Sequence, residues 1–367
     1  MGNFNNFFYN KRIFITGNTG FKGSWLTMWL LKLGANIVGF SKDIPTKKSL
    51  FLDALLEKEI NQIWGDISDE ELLKKSIKKS KPEIVFHLAA QAIVSYSYTN
   101  PLETFKTNSY GTASLIDAVR SYEKECILIS ITSDKSYDNQ EFERGYVETD
   151  TLGGKDPYSA SKGAAELILK SYFSSFLYQS LIKLGIGRAG NVIGGGDWAN
   201  SRIIPDAFRS WHKSQPLKIR SPNSTRPWQL VLEPLSGYLH LAESLSRNKK
   251  LCGEAFNFGP SYNDVNTVQD LISKIYSFSE NYKIQDNFFK ITENINFEES
   301  KLLRLNCDKA LNHLNWQPNL KFEEVCKFVC KWYETCIDNK NLSQSFSLEQ
   351  IDEYEKIAKE RKMSWSN

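Results

Sequence analysis

The amino-acid sequence predicts an α/β protein with a Rossmann-like, doubly wound parallel sheet and a smaller, mixed α/β lobe towards the C-terminus. Strand-like and helix-like segments alternate through the first half of the chain, and a glycine-rich turn joins the first strand to the first helix. Such alternation is typical of βαβ units, whose parallel sheet carries helices on both faces. With 367 residues, 41% of them apolar, the chain also exceeds one minimal domain and can build a substantial core.

Short apolar runs and helical periodicity give the order of the elements. Strands are predicted at residues 12–16, 36–40, 84–88 and 127–132, and helices at residues 23–33, 70–79 and 108–121. A longer helical pattern runs from Tyr158 to about Leu184. Glycine, proline, tryptophan and arginine cluster between residues 194 and 228, which indicates loops over a site, and further helices are expected at residues 265–278 and 322–337.

The chain shows no internal repeat and no low-complexity linker, so we expect its lobes to be interleaved. The predicted organisation is a dinucleotide-binding domain over residues 1–190 that includes some later segments, a substrate-binding lobe over residues 191–340, and a charged tail over residues 341–367 that forms a peripheral helix.

Composition excludes several classes of partner. The formal charge of +3 is close to balance for this length, and gives no reason to expect nucleic acid or a membrane surface. No apolar stretch reaches the length of a bilayer span, and residues 1–11 do not read as a secretory signal. Six scattered cysteines are typical of reduced thiols, so a cytoplasmic location is expected. Cys326 and Cys330 share a predicted helix face, but no histidine has a zinc-like spacing to them, so we favour core packing and expect no metal.

The first chemical signal is a glycine-rich turn between a strand and a helix. Its glycines, Gly17, Gly20 and Gly23, follow the Gly-x-x-Gly-x-x-Gly pattern, a variant of the dinucleotide fingerprint. Glycines there permit a tight turn and let backbone N–H groups and the helix N-terminus approach a pyrophosphate. We therefore assign the turn to a nicotinamide dinucleotide, with Thr19, Phe21 and Lys22 as further contacts.

Two acidic residues bear on the choice between NAD and NADP. Asp43 lies twenty residues after Gly23, just past the second strand, where a carboxylate can bind the adenosine ribose and favour NAD. Lys42 beside it weakens this argument, since a cation would accept a 2′-phosphate. Asp66 and Ile67 follow another strand-like run and are placed near the adenine, although a solvated loop acid explains either Asp nearly as well.

A tyrosine and a lysine four residues apart form the candidate oxidising pair. Tyr158 and Lys162 are neighbours on one face of the predicted helix. A nearby ammonium group stabilises tyrosinate and lowers its pKa, which gives a base for a sugar hydroxyl. Thr132, at the end of a strand, is expected to hold the reacting oxygen beside the tyrosine.

An acid and a potential base follow the same strand. Asp134 and Lys135 lie where the carboxyl end of a strand faces the substrate crevice in a doubly wound sheet. This pair points to chemistry beyond hydride transfer: oxidation at C4 of a hexose acidifies the C5 proton, a base removes it, and an acid helps the 6-hydroxyl leave. The competing interpretation is a surface salt bridge.

With these residues, several longer motifs carry a family resemblance. They are Gly20-Phe21-Lys22-Gly23-Ser24-Trp25-Leu26, His87-Leu88-Ala89-Ala90-Gln91, Thr132-Ser133-Asp134-Lys135, Asp156-Pro157-Tyr158-Ser159, Arg188-Ala189-Gly190-Asn191, Arg226-Pro227-Trp228-Gln229 and Asn257-Phe258-Gly259-Pro260. The chain resembles the nucleotide-sugar 4,6-dehydratases of the extended short-chain dehydrogenase/reductase superfamily, and within them the CDP-glucose branch, from residue 11 to about residue 332.

The resemblance implies an NAD-dependent lyase that dehydrates CDP-glucose to its 4-keto-6-deoxy product for deoxysugar and polysaccharide synthesis. Thr132, Tyr158 and Lys162 would oxidise the sugar, Asp134 would protonate the departing hydroxyl, and Lys135 would occupy the position of the C5 base. The dTDP-glucose members have glutamate at that last position, so lysine points to the CDP-glucose branch. A lysine acts as a base only when neutral, which requires burial or a nearby cation.

The remaining assignments concern binding and assembly. Ala89, Ala90, Gln91 and Asn108 are assigned to the cofactor, together with Tyr158 and Lys162. The candidate contacts to the sugar nucleotide are Gln91, Asn191, Arg202, Arg220, Arg226 and Arg304, since arginine offers forked, permanently charged donors to a diphosphate. The resemblance also implies a homodimer or homotetramer in which helices 108–121 and 166–184 pack against a second copy.

Three alternatives remain open from the sequence. A nucleotide-sugar 4-epimerase would share Tyr158 and Lys162 but would not need Asp134 and Lys135. A dehydratase acting on a dTDP-, UDP- or GDP-linked hexose would differ only in base recognition by the C-terminal lobe. A catalytically silent NAD-binding protein is disfavoured because Thr132, Asp134, Tyr158 and Lys162 are all present.

Overall fold

The computed structural model describes residues 3–261, 266–282, 288–292 and 302–366. Its strands are β1 (Arg12–Thr16), β2 (Asn36–Ser41), β3 (Asn61–Trp64), β4 (Ile84–His87), β5 (Cys126–Ile131), β6 (Ile182–Ala189), β7 (Val192–Ile193), β8 (Leu217–Ile219), β9 (Thr225–Arg226), β10 (Gln229–Leu230), β11 (Ala255–Phe258), β12 (Asn266–Thr267) and β13 (Phe289–Ile291). Seven of them form a parallel sheet in the order β11-β6-β5-β4-β1-β2-β3, and the short remaining strands pair two by two.

Helices cover both faces of this sheet. They are α1 (Phe21–Lys32), α2 (Leu50–Asp53), α3 (Glu70–Ser80), α4 (Val94–Thr99), α5 (Pro101–Phe105), α6 (Gly111–Arg120), α7 (Pro157–Tyr172), α8 (Ile203–His212), α9 (Leu232–Arg247), α10 (Val268–Phe278), α11 (Asp308–Leu314), α12 (Phe322–Cys336) and α13 (Ser343–Glu360). Alternate residues of β1 point to opposite faces: Phe14 packs with α3 and α6, whereas Ile13 and Ile15 pack with α1 and α9. The doubly wound fold predicted from the alternation is therefore confirmed.

The long helix predicted to reach Leu184 is wrong at its C-terminal end. Helix α7 ends at Tyr172 and one π-helical turn, Phe173–Leu177, follows it. Leu184 lies in β6, which pairs with β5. Neither glycine nor proline marks this boundary, and the apolar residues continue across it, so periodicity alone did not locate it. Of the predicted helix 265–278, residue 265 lies outside the described residues.

The C-terminal segment is packed into the core and is not a peripheral tail. Trp365 is 1% exposed, and its ring stacks on Phe4 and Tyr354 at centroid distances of 5.2 and 5.6 Å. Trp29 of α1 donates a hydrogen bond from Nε1 to Glu355 Oε1 at 2.7 Å. Helix α13 thus closes the face of the sheet that α1 covers.

The order of the sheet reverses direction between β1 and β4, which places a crevice at the carboxyl ends of the strands. The glycine turn after β1, the segment after β4 and the segment after β5 all open there. Among the described residues no helix is both long and apolar enough to span a bilayer. Within the same ranges, no group of three or more His, Cys, Asp and Glu side chains is arranged to hold a metal ion.

Candidate active site

The glycine turn after β1 forms a cradle that fits a pyrophosphate. Gly17 has φ +74, and a methyl group there would lie 2.6 Å from the backbone nitrogen of Ala89. A methyl group at Gly23 would collide with the Gly17 carbonyl, whereas one at Gly20 would meet nothing closer than 3.4 Å. Gly17 and Gly23 therefore allow close backbone packing, and Gly20 leaves open space at the N-terminus of α1, where backbone N–H groups favour an anion.

The acidic residues predicted near the adenosine have different environments. Asp43 is exposed, and its carbonyl accepts a 2.7 Å hydrogen bond from Thr19 Oγ1. Asp66 accepts hydrogen bonds from the Ser68 N–H and hydroxyl, and lies 3.4 Å from the Lys42 ammonium group. Burial raises the pKa of Asp66, but the bonds from Ser68 and Lys42 outweigh it and lower the pKa below the usual range. Lys42, the residue that could favour a 2′-phosphate, is thus engaged by Asp66.

The segment after β4 is held by Asn108. Its Oδ1 accepts a 2.8 Å hydrogen bond from the Gln91 N–H, and its Nδ2 donates to Ser161 Oγ at 2.8 Å. The Gln91 amide group bonds to Ile93 O and Thr104 Oγ1, both at 3.0 Å. These contacts fix the loop 89–91 beside Gly17, so Asn108 supports the cofactor cradle from behind.

The side chain of Ile67 lies in the protein core. Its side chain is 5% exposed and packs in the core against Gly111 of α6, which lacks the β-carbon that would fill this space. The cofactor contact assigned to Ile67 stays a prediction, and its buried side chain would leave the backbone of this residue as the contacting group.

Tyr158 and Lys162 are both buried on one face of α7. The helix begins at Pro157, and the Asp156 side chain caps it by accepting a 2.9 Å bond from the Ser159 N–H. Burial raises the pKa of Tyr158 to about 12, and a hydrogen bond from Ser133 opposes this rise. Burial lowers the pKa of Lys162 to about 8, against the attraction of Glu166. The expected lowering of the Tyr158 pKa is thus not produced by the protein groups alone, because burial outweighs them.

Ser133, and not Thr132, is the hydroxyl residue beside the tyrosine. Thr132 Oγ1 donates a 2.7 Å hydrogen bond to Glu166 Oε1 in the core below the site. Ser133 lowers the pKa of Tyr158 through a hydrogen-bonding interaction, and its Oγ donates to Asp134 Oδ1 at 2.9 Å. The placement of Thr132 at the reacting oxygen is therefore wrong, because successive residues of an extended chain point in opposite directions.

Asp134 is a buried carboxyl group with an open acceptor. It is 3% exposed, and its Oδ2 atom has no hydrogen-bond partner among the described residues. Burial raises its pKa above the usual range, opposed by Lys135, Ser133 and Lys22. A raised pKa favours the protonated form, which is the form that can donate a proton to a leaving group.

Lys22 acts on this carboxyl group and also interacts with two further cations. Burial lowers the pKa of Lys22 to about 8, with further lowering by Lys162 and Arg202 and an opposing effect of Asp134. Arg202 stands just before α8, and its Nη1 bonds to Asp197 Oδ2 at 2.8 Å. Lys22, Lys162 and Arg202 thus bring positive charge to the crevice, which suits anionic ligands.

The other predicted substrate contacts are placed in the smaller lobe. The Asn191 carbonyl accepts from the Gln229 N–H at 3.2 Å, and Arg226 Nη1 donates to Thr225 O at 2.8 Å in β9. Arg220 is exposed after β8, and the Arg304 carbonyl accepts from the Tyr146 N–H at 2.8 Å. Their contact with a sugar nucleotide stays a prediction.

The sequence reasoning missed Ser133, Glu166 and Arg188. Glu166 and Arg188 form an ion pair in which both side chains are 0% exposed, directly beneath Thr132. A signal was present: Arg188 is a charged residue in the apolar part of its strand, and Glu166 follows Tyr158 by two helical turns. A buried charge requires a partner, so these two residues could have been paired.

Comparisons with known proteins agree with this geometry. The sequence profile of the GDP-mannose 4,6 dehydratase family matches residues 14–329. The CDP-glucose 4,6-dehydratase of Salmonella typhimurium is 43% identical over 346 residues, which cover 92% of this chain and 94% of that protein. The dTDP-D-glucose 4,6-dehydratase of Homo sapiens is 24% identical, over 92% of this chain and 94% of that protein.

Solved structures share the fold. An epimerase from Methanothermobacter thermautotrophicus has a TM-score of 0.78 at 24% identity, covering 91% of this chain and 95% of that chain. A dTDP-glucose 4,6-dehydratase from Bacillus anthracis in complex with NAD has a TM-score of 0.73 at 21% identity, covering 88% and 96%. With the profile match over most of the chain and the 43% identical relative, the resemblance is confirmed: the chain belongs to the nucleotide-sugar 4,6-dehydratase family.

Proposed function

We propose that this protein is an NAD-dependent hydro-lyase that converts CDP-glucose into CDP-4-keto-6-deoxyglucose and water. The observation that carries the proposal is Asp134: a buried carboxyl group with a raised pKa, adjacent to Lys135 and one residue from the hydroxyl that bonds to Tyr158. Oxidation alone needs no such acid. The 43% identical relative, named a CDP-glucose 4,6-dehydratase, supports the choice of substrate.

Tyr158, Ser133 and Lys162 serve the oxidation at C4. Tyr158 takes the proton of the 4-hydroxyl, and Ser133 holds the same oxygen by a hydrogen bond. The Lys162 ammonium stabilises the tyrosinate that this step requires, since the protein otherwise raises the Tyr158 pKa. NAD, when bound in the glycine cradle, supplies the hydride acceptor for C4 and the hydride donor for C6, and its positive ring further favours tyrosinate.

Asp134 and Lys135 serve the elimination. Lys135 takes the C5 proton, the C6–oxygen bond breaks, and Asp134 gives its proton to the departing hydroxyl, which leaves as water. Lys135 then returns a proton to C5, and with the hydride that bound NAD would supply to C6 the product differs from the substrate by one water. A 4-epimerase would have no use for a buried acid at residue 134, which is why we favour the dehydratase.

Mass spectrometry in deuterated buffer tests the proposal. The purified protein with added NAD is offered CDP-glucose, dTDP-glucose, UDP-glucose and UDP-N-acetylglucosamine in separate reactions. We expect loss of one water from CDP-glucose alone, with deuterium retained at C5. Dehydration of another donor would overturn the assigned nucleotide, and a mass-neutral conversion would overturn the roles of Asp134 and Lys135. The matched control, Asp134→Asn, should retain NAD binding but not release water.

We further propose a homodimer or homotetramer in which the outer faces of α5, α6 and α7 pack against a second copy. Large apolar side chains are exposed there: Leu102 is 84% and Leu167 is 58% exposed. Large apolar side chains with this exposure support an interaction surface. Light scattering after size exclusion should show a dimer or tetramer, and Leu102→Asp with Leu167→Asp should give a monomer. Ile291→Asp, at an exposed apolar residue of β13, is the control, and a monomeric unmodified protein would contradict the proposal.

A further inference from the structure

A buried ion pair lies beneath the candidate active site and the proposed chemistry does not use it. Arg188 Nε lies 2.8 and 2.9 Å from the two carboxylate oxygens of Glu166, and Nη2 contacts the same carboxylate. Arg188 Nη1 also donates to Tyr137 OH at 2.6 Å, and its guanidinium group stacks 4.6 Å from the Tyr137 ring. Both side chains are fully buried, and the hydrogen bonds described above fix their arrangement.

Two hydroxyl groups connect the pair to the acid–base turn. Thr132 Oγ1 and Ser136 Oγ lie 2.7 and 2.9 Å from the same Glu166 oxygen, Oε1. Ser136 Oγ is also 2.6 Å from the Ser133 carbonyl. Between the two hydroxyl residues lies the turn of Ser133, Asp134 and Lys135, so Glu166 holds both ends of the segment that carries the proposed acid and base.

The same carboxylate belongs to the helix of the oxidising pair. Tyr158, Lys162 and Glu166 follow at intervals of four residues on one face of α7. Gly163 lets the turn approach this helix: a methyl group there would lie 3.2 Å from Gly153 N and 3.3 Å from Ser136 O. Glu166 therefore joins the helix that carries the oxidising pair to the turn that carries the eliminating pair.

Burying an ion pair costs desolvation free energy, and a well-packed apolar pair of similar volume often stabilises a fold to the same extent or more. The position of the pair at the junction of helix and turn therefore points to a role in geometry. We infer that Glu166, held by Arg188, is a positioning residue that sets the acid–base turn against the oxidising helix through the Thr132 and Ser136 hydroxyls. The inference rests on the proposed dehydration. Glu166 also opposes the lowering of the Lys162 pKa by burial, which links the two sets electrostatically.

The test removes the hydroxyls and keeps the ion pair, because Glu166→Ala would leave Arg188 buried and unpaired. The variants are Thr132→Val and Ser136→Ala, with Thr132→Ser as the conservative rescue that restores a hydroxyl. Ser76→Ala is the matched control, since Ser76 is a buried hydroxyl of α3 that bonds only within its helix, to Leu72 O at 2.7 Å.

We expect kcat to fall about tenfold in Thr132→Val and Ser136→Ala with KM little changed, because a shift of about 1 Å in a reacting group is enough for such a loss. Ser136→Ala frees the end of the turn next to Lys135, so elimination should slow and the absorbance of reduced nicotinamide should accumulate during turnover. Thr132→Val frees the end next to Ser133, so oxidation should slow without that accumulation. Hydrogen exchange of residues 133–137 should accelerate in both variants, with unfolding temperatures close to that of Ser76→Ala.

Unchanged kcat and unchanged exchange of residues 133–137 would overturn the inference. Loss of activity in parallel with a lower unfolding temperature would also overturn it, since that pattern shows a role in stability alone. If the unmodified protein releases no water from any nucleotide hexose, the proposed function fails instead, and the exchange measurement still reports whether Glu166 holds the turn.

Discussion

The carboxyl group of Asp134 lies directly against Gly190 of the loop after β6. A methyl group at residue 190 would be 2.8 Å from Asp134 Oδ2 and 2.9 Å from Pro227 Cγ. Because residue 190 is a glycine, the Asp134 carboxyl group has room to lie against the backbone there. Among the described residues, no group donates a hydrogen bond to its Oδ2 atom. A leaving hydroxyl of a substrate can take that place.

Gly190→Ala should displace Asp134. Gly190 does not have a positive φ, so alanine is compatible with the backbone and the clash falls on the carboxyl group and Pro227. We expect kcat for water release to fall about tenfold or more, because small misplacements of a reacting group are costly. Gly259→Ala is the control, since its nearest contact would be an ordinary 3.5 Å. Steady-state kinetics check the prediction, and equal rates for both variants would contradict it.

Ser133→Ala should impair the enzyme more than Thr132→Ser. The Ser133 hydrogen bond lowers the pKa of Tyr158, so its loss should raise that pKa and move the acidic limb of the pH–rate profile to higher pH. General-base contributions suggest a loss of about 100-fold near neutral pH. Thr132→Ser keeps the bond to Glu166 and should keep the profile. If the acidic limb of the pH–rate profile is unchanged in Ser133→Ala, the Ser133 hydroxyl does not lower the pKa of Tyr158 and another hydroxyl group serves the oxidation.

Glu233 should make stability depend on pH. Its carboxylate accepts bonds from the Asn319 and Leu320 N–H groups at 2.9 and 2.6 Å, yet burial raises its pKa to about 7 from 4.5. An acid whose pKa is raised by folding stabilises the fold below the unfolded pKa, and this stability is lost as pH rises towards 7. We expect its contribution to fall by about 3 kcal/mol between about pH 5 and about pH 8.

Urea unfolding of the unmodified protein and of Glu233→Gln measures this effect. The amide keeps the shape of the side chain but does not titrate, so the difference in unfolding free energy between the two proteins should change with pH. A difference that is constant over the same range would show that Glu233 is already ionised in the folded protein at low pH.

Trp365→Ala should destabilise the fold although the residue lies two positions from the C-terminus. Its ring is 1% exposed and stacks between Phe4 and Tyr354. Large-to-alanine changes at such sites cost about 3–5 kcal/mol, so the unfolding temperature should fall clearly. Tyr9→Ala, at a side chain that is 65% exposed, should change it little. Differential scanning calorimetry measures both unfolding temperatures. If the C-terminal segment were an unpacked tail, Trp365→Ala and Tyr9→Ala would have the same unfolding temperature.

Local patterns were sufficient for much of the sheet and for the cofactor cradle. Strands β1, β2, β4 and β5 are apolar runs bounded by polar or glycine residues, and burial of such runs on both faces is what a parallel sheet requires. Strand β3, in contrast, is the short edge segment Asn61–Trp64, for which the sequence indicated only a strand-like run before Asp66 without bounds. The end of α7 was misplaced because the next strand supplies apolar residues without an intervening glycine or proline.

The sequence by itself determined the glycine turn, the spacing of Tyr158 and Lys162, and the adjacency of Asp134 and Lys135, because each depends on residues close in the chain. Only the tertiary structure decided that Ser133 rather than Thr132 reaches Tyr158, that Gly190 makes room for Asp134, and that Trp365 completes the core. These relationships join residues that are far apart in the chain or depend on which way one strand end turns. Packing fixes them, and no local pattern encodes packing.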